Sequence, residues 1–246
     1  MQPEEFVYPP YGAPLVEAYN GRFEAAFVVL HPFIRVEERL AWRVTRKYPD
    51  DADIIAHGSR FPWTEVCGLS GLSSLARLNQ ALLTATGSLK GDFGNSSARD
   101  MLQGFLQSQP VWMPAQGRFE PLLQRNLLAI FASAGYEEVI HVPEFPNADP
   151  IVRLAVTDLE KADRPFPSGG TLLAPDLSFL FTVEWDSFFT LFYGSRAFVA
   201  GSMRKLGMEG FFATANTDHV WFNYSMGCAT VTLSPEHWQL GDEGSK

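Results

Sequence analysis

A chain of 246 residues with a formal net charge of −9 is repelled by phosphate backbones, so general nucleic-acid binding is set aside. Hydrophobic residues make up 46% and charged residues 19%, which is the balance of a globular chain with a sizeable core and not of a disordered one. Met1 to Glu5 lacks the basic start and apolar core of an export signal, and no apolar run approaches the ~20 residues of a membrane span. The expectation is a soluble, cytoplasmic protein in which Cys67 and Cys228 are separate buried thiols.

Residues 1–20 carry Pro3, Pro9, Pro10 and Pro14 and are expected to form an extended arm on the surface. Phe23 to Leu30 is apolar on both alternating faces, as a strand buried on two sides must be, and His31-Pro32 ends it. Val36, Leu40 and Val44 recur at helical spacing among Arg and Glu residues, which predicts an amphipathic helix over 36–47, closed by Pro49 to Asp51. Residues 54–63 read as a short strand or a loop. Leu72, Leu75, Asn79, Leu82 and Leu83 mark a helix that Gly87 ends. Ser97 to Asp100 has the form of a capping box ahead of Met101, Leu102, Phe105 and Leu106. Pro121 suits the first turn of a helix whose stripe is Leu122, Leu123, Leu127, Ile130 and Phe131, stopped by Gly135. Val139 to Val142 reads as a strand, 143–150 as a loop, 151–161 as a helix in preference to a strand, and 163–170 as a linker.

Beyond that linker the pattern turns from helical to extended. Leu177 to Val183 and Phe188 to Tyr193 read as strands joined by a turn at Glu184-Trp185-Asp186-Ser187. Ser195 caps a helix that runs to Leu206 and stops at Gly207, and Phe211-Phe212 is a short strand. Residues 219–224 and 228–233 flank Ser225-Met226-Gly227 as a hairpin. These elements predict an α+β fold: a helix-rich N-terminal half packed on a mainly antiparallel sheet from the C-terminal half. One unit spans 1–246, with 1–162 and 171–240 as the division that composition offers.

Local catalytic signatures fail one by one. Asp92-Phe93-Gly94 stands without the other parts of a kinase, and Cys67 to Gly71 lacks the spacing of a nucleophile elbow and reads as a helix entry. What remains is a polar set in the second half. Glu184 and Asp186, two apart in extended chain, share a face, with Trp185 opposite. If their turn meets Asn216 to His219, then Glu184, Asp186, Asp218 and His219 supply oxygen and imidazole ligands for a divalent cation, or an acid–base set for a small metal-dependent hydrolase. The plainer reading makes these residues turn formers. Trp185, Tyr193 and Trp221, with Phe212, are the aromatics suited to line a small-molecule pocket or to anchor a protein partner, against a default role in the core.

Residues 185–192, 206–212 and 217–221 together resemble a bacterial protein family of unknown function, most closely over 177–224. The resemblance implies bacterial origin and transfers no catalytic residues. The expectation is therefore a non-catalytic binding protein whose acidity suits a basic protein partner, as an immunity protein suits its toxin, with no cofactor. The hydrolase and a small-molecule binding module are the alternatives.

Overall fold

In the computed structural model, residues 2–36, 48–89, 93–145, 149–159 and 166–221 are described. Four phenylalanine- and leucine-rich stretches in it are buried along their whole length: β1 (Ala25–Leu30), β7 (Gly170–Leu173), β8 (Leu180–Val183) and β9 (Phe189–Gly194). A strand without a polar face must be covered on both sides. The remaining strands are β2 (Phe33–Val36), β3 (Gly58–Phe61), β4 (Val111–Trp112), β5 (Glu138–Val142), β6 (Val152–Ala155) and β10 (Gly210–Phe212). Seven of these ten strands among the described residues form one sheet in the order β10-β1-β9-β8-β7-β5-β6, antiparallel at every pairing.

Alternation along β1 sends Ala26, Val28 and Leu30 to one face and Phe27 and Val29 to the other. The first face is covered by α2 (Trp63–Ser70), α3 (Leu75–Thr86) and α4 (Ser96–Ser108), which contribute Trp63, Leu78, Leu82, Leu102 and Phe105. The second face is covered by α5 (Pro121–Ser133), the single turn α6 (Val156–Leu159) and α7 (Arg196–Leu206), through Leu127, Phe131, Leu159 and Met203. Phe181 and Phe192 stack at 4.3 Å on that face. Each such side chain, taken fully out of water, contributes about 1.5–3 kcal/mol. The α+β class is as expected, but the sheet is not a product of the C-terminal half alone. β1 runs between β9 and β10, so strands from both sides of the 162–171 boundary build it.

A small second sheet, β3-β2-β4, continues from the first through His31-Pro32. His31 is the pivot, wholly buried. Its backbone N donates to Phe188 O at 3.0 Å and its carbonyl accepts from Trp63 Nε1 at 2.6 Å. Its ring lies 3.1 Å from Ala115 O and 2.8 Å from Thr190 Oγ1. A carbonyl only accepts, so Nδ1 carries the proton and Thr190 donates to Nε2. Burial lowers the ring's pKa to about 4, so it is neutral.

Several expectations are corrected. The N-terminal arm is not merely superficial, because Phe6 and Leu15 are fully buried. Asp50 opens a helix: its carboxylate accepts from Asp53 N at 2.9 Å and starts α1 (Asp51–His57), which leads into β3. Cys67 to Ser70 closes α2 rather than entering a helix. Helix α4 is capped by Asn95, two residues before Ser97. Of the helix or strand expected at 151–161, residues 152–155 take the strand and 156–159 a helical turn, and Gly170 begins another strand where a linker was expected. Residues 219–221 form a turn. The 36–47 helix beyond Val36, the hairpin after Trp221, Asp92 and Cys228 lie outside the described residues; Cys67 is a free, half-buried thiol. Among the described residues no helix is long and apolar enough to cross a membrane.

Candidate functional site

The turn between β8 and β9 is held from several sides. Ser187 N and Oγ both donate to Glu184 O, at 2.9 and 2.8 Å, and Ser187 Oγ also reaches Phe189 O at 3.0 Å. Gly117 N donates to Ser187 O at 2.9 Å. Gly117 has φ +68, and a Cβ built on it would stand 2.0 Å from the Trp185 carbonyl oxygen, so only glycine fits there. Trp185 N donates to Glu144 Oε1 at 3.2 Å. The clamped turn buries the carboxylate of Glu184 and leaves Trp185 63% exposed.

The N-terminal arm closes over this turn. Tyr11 Oη donates to Glu184 Oε1 at 2.6 Å, and Asp186 N donates to Glu184 Oε2 at 3.0 Å. His219 Nε2 lies 3.7 Å from Glu184 Oε2, and its Nδ1 is 2.8 Å from Tyr8 Oη. The neighbouring carboxylate favours the proton on Nε2, leaving Nδ1 to accept from Tyr8. Burial lowers the His219 pKa to about 4. The contact with Glu184 is thus one between a carboxyl and a neutral ring, not an ion pair. Burial raises the Glu184 pKa, against hydrogen bonds from Tyr11 and Asp186 that lower it; the nearby charges of Asp186 and Glu144 push it up further. The Tyr11 phenol is raised by burial and by its bond to Glu184, the reverse of what a nucleophile requires.

Of the four residues expected to converge, two do. Glu184 and His219 meet. The Asp186 carboxylate turns the other way, accepting from Ser88 Oγ at 3.1 Å and from Gln116 Nε2 at 3.5 Å. Asp218 is half-buried, with no side-chain partner among the described residues. No three His, Cys, Asp or Glu side chains among the described residues stand where they would share a metal ion. The three aromatics do not share a surface either. Tyr193 is in the core, its hydroxyl donating to Leu15 O at 3.1 Å, and Trp221 packs beside Trp63, Phe189 and Phe211. Trp185 alone of the three faces solvent.

A cavity of about 60 Å³ opens beside this cluster, lined by Tyr11, Leu83, Ser88, Leu89, Asp186, Ser187, Phe189, His219 and Val220. Its lining residue Tyr11 and the His219 partner Tyr8 carry no local signal in the sequence, standing in a proline-rich arm more than 170 residues from Glu184. Ser88, Gln116 and Glu144 are equally silent. Of the residues around this turn, Gly117, a glycine with no helix or hairpin to explain it, marks a close approach.

A family model described as "Protein of unknown function (DUF2711)" matches residues 11–223. An "Uncharacterized protein YwbB" of Bacillus subtilis (strain 168) is 21% identical over 223 residues, covering 85% of this chain and 95% of its own. No solved structure matches the chain.

Proposed function

The chain belongs to that family of unknown function, and we propose that it is a non-catalytic binding protein that engages a basic protein partner through Trp185. The observation that carries this reading is an exposed indole on a turn that backbone hydrogen bonds and Gly117 hold in one conformation. A rigid Trp loses little entropy on association, and buried Trp anchors dominate protein interfaces. Glu144 binds the backbone of Trp185 and Asp186 follows it, so the anchor sits in an acidic setting on a chain of net charge −9. Such a surface steers cationic partners toward it.

The groups that general acid–base chemistry would use are committed to their own chain. Both Glu184 oxygens accept hydrogen bonds, and both His219 ring nitrogens face partners. That commitment favours binding over turnover.

The test is affinity selection from a bacterial proteome at about 0.15 M salt, with the parent and Trp185→Ala side by side. The expected result is a basic protein retained by the parent, lost at least tenfold with Trp185→Ala, and weakened by added salt. Retention that ignores Trp185, or of acidic proteins only, overturns the reading.

A further inference from the structure

The cavity that Tyr11 and Asp186 line does not include Trp185 in its wall, and we propose that it takes a primary ammonium group on a short aliphatic stem. Three features of its wall point to that chemistry. Asp186 presents a carboxylate whose side-chain partners, Ser88 and Gln116, are both neutral. His219, also in the lining, holds its second ring nitrogen on Tyr8 and adds no positive charge. Leu83, Leu89, Phe189 and Val220 form the apolar remainder, which suits an aliphatic stem.

Size narrows the class. A space of about 60 Å³ holds about four water-sized groups, which matches an ammonium and two or three methylenes. An ammonium offers three donors to the Asp186 carboxylate and the Ser88 hydroxyl. A carboxylate of the same length would face Asp186 with like charge. An alcohol would fill the space without meeting the charge. A guanidinium is planar and wider, and suits the cavity less. The source of the group is either a free alkylamine or a lysine side chain of a protein partner, since the terminal chemistry is the same.

The test compares n-propylammonium, n-propanol and propionate against the full chain by ligand-observed NMR at pH 7. Propylammonium is expected to bind with a Kd on the order of millimolar, as a ligand of four heavy atoms should. Propanol should bind at least tenfold more weakly, and propionate not detectably. Asp186→Asn keeps an oxygen for Ser88 and should cost propylammonium at least tenfold. Leu89→Trp, at a half-buried wall position, fills the cavity and should abolish binding; each variant is accepted only if its thermal melt matches the parent. Equal binding of the three ligands, or no loss in both variants, overturns the proposal. Trp185→Ala should leave propylammonium binding unchanged, so this site and the partner surface fail separately. Competition by an acetyl-lysine-methylamide with a free side-chain amine, stronger than by propylammonium, assigns the group to a protein; the reverse assigns it to a small amine.

Discussion

At the scale of single residues, two glycines in the same backbone region separate conformational strain from collision. Gly117 and Gly135 both have positive φ, at +68 and +85. Nothing stands within 4 Å of a Cβ on Gly135, whereas a Cβ on Gly117 would strike the Trp185 carbonyl. Gly135→Ala should therefore cost about 1 kcal/mol, the penalty of the left-handed region alone. Gly117→Ala must also push the 184–187 turn away, and should cost more than about 2 kcal/mol while shifting the emission of the exposed Trp185. Urea denaturation with tryptophan fluorescence checks both. Equal costs for the two substitutions would show that the turn yields freely, and the rigid-anchor argument would fail with it.

Among elements, the helix termini test what local chemistry writes into a sequence. Ser195 and Gly207 bound α7 as their types predict, since a cap is decided by residues within one turn of it. The start of α4 was misread because Ser97 and Asp100 mimic a capping box, while Asn95 Oδ1 is the group that accepts from Ala98 N at 2.9 Å. Asn95→Ala should cost about 1 kcal/mol in a thermal melt and Ser97→Ala, on an exposed helix position, less than about 0.5; the reverse order would restore the box. Strand β7 was illegible for another reason. Four residues opening on Gly170 carry too little pattern, and β7 exists because β5 and β8 pair with it on both sides. Likewise the Glu184 turn was readable from its residue types, but its partners Tyr11 and Ser88, and Tyr8 behind His219, were not, because only the folded sheet brings them near. Asp186 does not join Glu184 because the tight turn points their carboxylates apart, which strand alternation does not foresee.

For the molecule as a whole, the junction of the two sheets is where buried charge and fold stability are coupled. Ala115 ties two titratable groups together, its carbonyl accepting from His31 Nδ1 and its N–H donating to Glu120 Oε2 at 2.7 Å. Burial raises the pKa of that carboxyl to about 7, against hydrogen bonds from Ala115 and Leu122 and the Arg118 charge that lower it, and Asp51 pushes it up further. From pH 4.5 to about 7 the native chain therefore keeps a proton on Glu120 that the unfolded chain releases, and this group's contribution to stability declines as the pH rises. His31 and His219 work in the opposite sense. Their contribution is intact above about pH 6.5 and is lost as the pH falls toward 4, because the unfolded chain takes up protons that the buried rings refuse. The two trends oppose each other over the same window and flatten the parent's profile. Glu120→Gln keeps an oxygen for Ala115 N but does not titrate. Relative to the parent it should gain stability steadily from pH 4.5 to 7, by up to roughly 3 kcal/mol, and its own profile should rise more steeply with pH. A stability difference that stays constant across that range, measured by urea unfolding at each pH, would mean that Glu120 is ionised in the folded chain and that the junction tolerates its charge.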